Sequence, residues 1–130
     1  MGKYKFIIID DSALDCYIAE KMIRYTGQCE EVNCFLGATE ALEFIKESPV
    51  REDTPLTIVI LDVLMPIMSG FVFVEEFEKL PQDTKDKYKI IALTSSMNKN
   101  DIDKICSYDT VNNIMDKPIT AESLSPLLLQ

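Results

Sequence analysis

The side chains best suited to chemistry lie at the ends of four strand-like runs. The runs FIIIDD, TIVILD and KIIALT end on Asp10 and Asp11, on Asp62 and on Thr94, and the weaker run NNIMDKP leads to Lys117. Open α/β sheets build their sites at the carboxyl ends of their strands, so we expect these groups to meet at one edge. Carboxylates are ligands that Mg²⁺ prefers, while a hydroxyl and an ammonium suit a phosphate. The pattern therefore predicts a site for a divalent metal and a phosphoryl group.

Short apolar runs predict the strands that carry these groups. Three segments are rich in apolar side chains and do not alternate polar with apolar residues: 4–9, 57–61 and 88–93. This pattern is typical of strands buried on both faces of a sheet. Residues 31–35 and 110–115 are less apolar, so we expect them nearer the edges of the sheet.

Helical periodicity fills the segments between these strands. Leu14, Ile18 and Met22 step by four residues, and Ser12 is placed to cap this first helix. Two further apolar stripes predict helices: Ala38, Ala41, Leu42 and Ile45, and then Phe71, Val74, Phe77 and Leu80, which ends at Pro81. A poorer helix is predicted over 98–107. A last helix starts from Thr120, and Pro126 should bend or shorten it. Strands separated by helices imply parallel pairing, hence a doubly wound α/β sheet.

The composition of the chain argues against several classes of function. The 130 residues suit one domain, residues 1–130, and a net charge of −9 argues against nucleic acid as a partner. The chain has no histidine, which excludes Ser-His and Cys-His nucleophiles. The N-terminal segment MGKYKFIIIDD has an apolar run of only four residues, so we expect neither a signal peptide nor a membrane span there. Four cysteines without CxxC spacing indicate reduced thiols in a cytoplasmic protein rather than a zinc site.

Each motif alone also has a more ordinary explanation. Asp10 and Asp11 suit a helix N-terminus, Thr94 suits a helix cap, and lysines mostly solvate surfaces. Asp62 is harder to explain in this way, because it ends the most apolar strand, where a charge needs a metal or a lysine to offset it. The joint occurrence of these groups at strand ends is what favours a site.

Four motifs, taken together and in this order, are highly specific. They are IIIDDS at 7–12, ILDVLMPIMSG at 60–70, ALTSS at 92–96 and DKPI at 116–119. With them the chain resembles a receiver domain of two-component response regulators over essentially its full length. The resemblance implies a five-stranded parallel sheet, doubly wound as (βα)5, in the flavodoxin-like strand order 2-1-3-4-5.

The resemblance implies that Asp62 is the phosphoacceptor, which attacks the phosphorus of a phosphohistidine on a sensor histidine kinase or a phosphotransfer protein. Asp11 would bind Mg²⁺ (or Mn²⁺) directly and Asp10 mainly through water, with Asp62 and the backbone carbonyl of Leu64 as further ligands. A carboxylate nucleophile needs no base to deprotonate it, which agrees with a chain that lacks histidine.

The same resemblance assigns the groups that hold the phosphoryl group after transfer. Thr94, with the neighbouring Ser95, would hydrogen-bond one phosphoryl oxygen and Lys117 would pair with another. The peptide bond before Pro118 is expected to be cis.

Two positions bear on how this chain would differ from other members of the family. The family often carries an aromatic ring three residues before the lysine, a ring that changes orientation on phosphorylation, and here this position is Ile114. An aliphatic side chain cannot report the switch in the way that a ring does, and Tyr108, six positions earlier in the chain, is not expected to take this role. Leu64, two residues beyond Asp62, offers no polar group to orient water, so we expect slow self-dephosphorylation.

The residues allow three functions of different classes. The first is a phosphorylation-controlled switch, not a turnover enzyme, that contacts an output protein through the fourth helix, fifth strand and last helix. The second is a phosphatase of the haloacid dehalogenase type, which typically needs a second aspartate where Leu64 stands. The third is a receiver-fold interaction module whose output does not depend on the aromatic switch. The sequence also leaves open whether the chain acts alone or belongs to a longer protein.

Overall fold

The computed structural model describes residues 4–62, 70–94, 99–116 and 119–128. The strands are β1 (Tyr4–Ile9), β2 (Cys29–Phe35), β3 (Thr57–Asp62), β4 (Tyr88–Thr94) and β5 (Val111–Asp116). The helices are α1 (Ala13–Tyr25), α2 (Ala38–Glu47), α3 (Gly70–Phe77), α4 (Gln82–Lys85), α5 (Lys99–Cys106) and α6 (Ala121–Leu128). Within these ranges, no helix has both the length and the apolar character needed to cross a membrane.

The strands form one parallel sheet in the order β2-β1-β3-β4-β5, which confirms the predicted doubly wound architecture and strand order. The central strand β3 is buried along its whole length, because helices cover both faces of the sheet. The outer strands β2 and β5 are partly exposed, as their weaker apolar patterns predicted.

Alternate residues of the strands face two separate cores, because successive side chains of a strand point to opposite faces. Ile7 and Val59 pack with buried side chains of α2, α3 and α5 on one face. Ile8 and Ile60 pack with those of α1 and α6 on the other face. The acidic residues that follow β1, and Asp62 that ends β3, are therefore held on a sheet that is packed from both sides.

Helix α1 is confirmed, but most of its buried residues lie outside the apolar spacing from which it was predicted. Ser12 caps the helix as predicted, its Oγ accepting a hydrogen bond from the Asp15 N–H at 3.2 Å. The buried residues are Cys16, Ala19 and Ile23, whereas Leu14 is 67% exposed. Two stripes of apolar character run along this helix, and the one with small side chains lies against the sheet because it allows a closer approach. Of the three residues whose spacing predicted the helix, Met22 packs against the core, whereas Leu14 and Ile18 are exposed.

Other differences are at element boundaries. Strand β2 begins at Cys29 rather than at residue 31, and α3 ends at Phe77, although Leu80 still packs against the core from the following turn. The short helix α4 was not predicted, because its sequence QDTK contains no apolar residue and so shows no periodicity. Helix α6 continues through Pro126 to Leu128.

The observed face of α1 leads to a test by paired substitutions. Ile23→Ala is expected to lower the free energy of unfolding by about 2–5 kcal/mol, because it empties a fully buried site. Leu14→Ala, on the exposed side of the same helix, is expected to change it by less than about 0.5 kcal/mol. Urea unfolding of both variants measures the difference, and a larger loss for Leu14→Ala would contradict the assigned face.

Candidate functional site

Three carboxylates meet at the carboxyl edge of the sheet. In the parallel ladder between β1 and β3, Ile9 pairs with Leu61, so the next residues, Asp10 and Asp62, lie side by side. One carboxylate oxygen from each of Asp10, Asp11 and Asp62 lies within 4.8 Å of the others. The strand register thus brings together residues separated by about fifty positions, as the sequence predicted.

The burial of these carboxylates makes their proximity costly. Asp10 is 2% exposed and Asp62 is 6% exposed, whereas Asp11 is exposed to solvent. Like charges this close, partly withdrawn from water, repel each other unless a cation offsets them. The donors are all hard oxygen atoms, and one side of the cluster is open. They fit a divalent cation such as Mg²⁺ or Mn²⁺, which prefers carboxylate and water ligands.

Local hydrogen bonds hold Asp10 in this position. Its backbone N–H donates to the Phe35 carbonyl at the end of β2 at 3.1 Å. Its Oδ1 accepts from the Ser12 N–H at 3.0 Å, and its own carbonyl accepts from the Cys16 Sγ at 3.4 Å. Both the main chain and the carboxylate of Asp10 are therefore oriented by the turn that leads into α1.

Cys16 is a supporting residue that sequence reasoning missed. It lies in the first turns of α1, six residues after Asp10, and is 4% exposed. Burial, followed by its neighbours Cys34, Asp10 and Asp15, raises the pKa of the Cys16 thiol to about 12. The thiol therefore stays protonated at neutral pH and can donate to the Asp10 carbonyl. The sequence carried no signal for this contact, since cysteine is also an ordinary core residue.

The predicted phosphate-binding residues are described only in part. The main chain of Thr94 ends β4 and pairs with Asp116 of β5, while its side chain lies outside what the structure describes. Leu64, Ser95, Lys117 and Pro118 also lie outside the described residues. Their assigned roles, including the cis peptide bond before Pro118, remain predictions.

Ile114, the atypical position, lies in the middle of β5. It pairs with Ala92 of β4 and is half-buried, packing against the core beneath α3 and α5. An aliphatic side chain at this place contributes to packing but has no ring or hydroxyl to present to a partner.

An apolar surface lies beside the carboxylates. Leu14 is 67% exposed, Tyr17 58% and Ile18 37% on the outer side of α1. Ile18 also lines a cavity of about 60 Å³, together with Leu93, Ile119 and Asp10 itself. Apolar side chains and a carboxylate of the acidic cluster thus border one concave surface.

Comparison with known proteins identifies the family. The profile of the response regulator receiver domain matches residues 6–128, nearly the entire chain. The chain therefore belongs to the response regulator receiver domain family. No curated protein sequence matches it.

Solved structures show the same fold. A response regulator receiver protein from Dyadobacter fermentans is 27% identical, with a TM-score of 0.86 over 96% of this chain and 94% of that one. A two-component response regulator from Cytophaga hutchinsonii is 26% identical, with a TM-score of 0.86 over 99% and 96% of the two chains. The receiver domain of the sensor histidine kinase PA1611 from Pseudomonas aeruginosa, which has a magnesium ion in its active-site cleft, is 20% identical over 98% and 95%, with a TM-score of 0.76.

The carboxylate cluster leads to a prediction about metal binding. Asp10→Asn removes one negative charge and keeps an oxygen that can accept from the Ser12 N–H. Without metal, the variant is expected to have a higher melting temperature than the wild type, because repulsion is relieved. Its Mg²⁺ affinity is expected to be about tenfold weaker, equivalent to ~1.4 kcal/mol.

Thermal unfolding and calorimetric titration with Mg²⁺ measure the two effects. Asp83→Asn, an exposed residue of α4, makes the same change of charge away from the cluster and serves as the control. Equal stabilisation of the wild type and Asp10→Asn by Mg²⁺ would exclude Asp10 from the metal site.

Proposed function

We propose that this receiver domain is a phosphorylation-controlled signalling switch. It accepts a phosphoryl group on Asp62 from a sensor histidine kinase or a phosphotransfer protein and changes a surface that contacts an output protein. It works in the cytoplasm and is not a turnover enzyme, although it promotes its own phosphorylation. The observation that carries the proposal is the cluster of Asp10, Asp11 and Asp62, whose oxygens lie within 4.8 Å of one another.

Asp62 is best suited to be the nucleophile. It ends the fully buried central strand, so its position is more constrained than that of the exposed Asp11. Its carboxylate oxygen attacks the phosphorus of the phosphohistidine, forming the new P–O bond while the P–N bond breaks and the imidazole leaves. Phosphoryl transfer depends mainly on positioning and on neutralising charge, and both are functions of this edge of the sheet.

The other residues bind and orient in this proposal. Asp10, Asp11, Asp62 and the Leu64 carbonyl hold a Mg²⁺ or Mn²⁺ ion, whose charge offsets that of the phosphoryl oxygens. A magnesium ion occupies the cleft of the Pseudomonas aeruginosa receiver domain, whose fold this chain shares. Thr94, with Ser95, donates to one phosphoryl oxygen, and Lys117 pairs with another.

The apolar surface of α1 supports a protein as the phosphodonor. Leu14, Tyr17 and Ile18 are exposed on α1, the helix that follows Asp10 and Asp11 in the chain, and Ile18 lines the same cavity as Asp10. A donor protein that buries these side chains gains apolar contact area while it brings its phosphohistidine to Asp62. The open side of the cluster at Asp11 leaves room for such an approach.

The output surface is proposed to comprise α5, β5 and α6. Ile114 favours an alternative form of the proposal, in which the domain is an interaction module whose output does not depend on the usual aromatic switch. In that form phosphorylation still occurs at Asp62, but partner binding follows another structural change or none.

Intact mass spectrometry after incubation with acetyl phosphate tests the proposal. The wild type is expected to gain one phosphoryl adduct that requires Mg²⁺, and Asp62→Asn is expected to gain none, because the nucleophile is removed. Asp83→Asn, with the same change of charge on α4, should behave like the wild type. Absence of the wild-type adduct in folded, metal-bound protein would overturn the proposed function.

The identity of Leu64 leads to a prediction about the lifetime of the phosphoryl group. Because its side chain has no polar group to orient an attacking water molecule, self-dephosphorylation is expected to be slow. Leu64→Asn is expected to shorten the lifetime about tenfold, equivalent to ~1.4 kcal/mol of barrier. The decay of the adduct measured by intact mass tests this, with Leu64→Met as the control that keeps an apolar side chain. A wild-type lifetime of only seconds would contradict the prediction.

A further inference from the structure

One side of α3 is joined to α5 and to the start of β5 by three polar contacts. The Tyr108 hydroxyl donates to Glu75 Oε2 at 2.6 Å. Lys104 Nζ lies 4.6 Å from the centre of the Phe71 ring. Glu78 accepts hydrogen bonds from Thr110, at 3.1 Å from its hydroxyl and 3.3 Å from its N–H.

Phe71 and Glu75 lie on one stripe of α3, because they are four residues apart. Glu78 follows directly after the helix and continues this stripe by a further step of three residues, with its N–H donating to the Val74 carbonyl at 2.9 Å. The neighbouring face of α3, which carries Phe73 and Phe77, is fully buried in the core. Helix α3 is therefore anchored on the sheet by one face and joined to the α5–β5 segment by the adjacent one.

Helix α5 depends on such contacts for its position. Of its eight residues, Ile105 alone is buried, so little apolar packing holds it against the sheet. Elements with few buried apolar contacts are those that shift or open most readily. Lys104 and Tyr108, one within α5 and one just beyond it, are therefore well placed to determine where this helix lies.

Helix α3 is also the element that a charge on Asp62 would affect. Asp62 ends β3, and the chain continues through residues 63–69 into α3. In a crossover between parallel strands, the N-terminus of the connecting helix lies at the carboxyl edge of the sheet, where Asp62 also lies. A phosphoryl group adds negative charge at that edge, which attracts the positive end of the helix dipole.

We propose that the Tyr108–Glu75 hydrogen bond couples the phosphorylation site to the α5–β5 surface through α3. This inference rests on the proposed function. In this chain the coupling replaces the one that a ring at position 114 would provide, since Ile114 packs in the core and has no hydroxyl. A shift of α3 towards the phosphoryl group carries Glu75 with it, and Tyr108 transmits the shift to α5. The hydrogen bond also raises the pKa of Tyr108 to about 12, so the hydroxyl remains protonated and can donate.

Hydrogen exchange of residues 99–116, combined with intact mass, tests this coupling. In the wild type, acetyl phosphate with Mg²⁺ is expected to give the adduct and to change amide exchange in this segment. Tyr108→Phe keeps the ring and removes the hydroxyl. It is expected to form the adduct to the same extent, to lose most of the phosphorylation-dependent change, and to raise basal exchange in α5 about fivefold.

A second variant and matched controls separate the link from general damage. Glu75→Ala should reproduce the effect of Tyr108→Phe, and the double variant should be no worse than either single one if both act through the same bond. Glu76→Ala on the same helix, which breaks the exposed pair with Lys79, and Tyr25→Phe at the end of α1 should respond like the wild type.

The results distinguish failure of the proposed coupling from failure of the proposed phosphorylation. A normal adduct together with an unchanged exchange response in Tyr108→Phe would overturn the coupling and leave the proposed function intact. Weaker adduct formation in Tyr108→Phe would also overturn it, because Tyr108 would then act on the transfer itself. No adduct in the wild type would refute the proposed function, and the coupling with it.

Discussion

The repulsion among Asp10, Asp11 and Asp62 is the energetic cost that the packing of the sheet has to overcome. Three carboxylates whose oxygens lie within 4.8 Å, two of them almost fully buried, oppose folding unless a cation joins them. The register of β1 against β3 imposes this proximity, and the two cores on either side of the sheet hold that register. Apolar packing thus sustains an arrangement of carboxylates that their charges alone would not adopt.

Packing is distributed unevenly around this site. The central strand β3 is buried throughout, so Asp62 is held on the most constrained element of the fold. Helix α5, with Ile105 as its single buried residue, has far less apolar anchorage and relies on polar contacts to α3. A rigid site next to a weakly packed helix allows a local change of charge to alter the surface without disturbing the core.

Helix α1 contributes both to the core and to an exposed apolar surface. Its small residues Cys16 and Ala19 lie against the sheet, which turns Leu14 and Ile18 towards solvent beside the acidic cluster. The same close approach lets the Cys16 thiol reach the Asp10 carbonyl. The small side chains on one face of α1 therefore explain three features: its close packing on the sheet, the orientation of Asp10, and the exposure of Leu14 and Ile18.

Local patterns in the sequence predict the fold class, the proximity of the three aspartates and the capping of α1 by Ser12, because the ends of parallel strands share one edge of the sheet. The strand order was predicted through the family motifs. Three features are visible only in the folded chain: which residues of α1 are buried, the short helix formed by QDTK, and the contact of Cys16 with Asp10. The fold also brings Tyr108 to Glu75, a contact across 33 residues that no periodicity encodes. The sequence does not show which of two similar apolar stripes is buried, nor which polar residues distant in the chain come into contact. Both depend on the distances that the packing of the sheet sets.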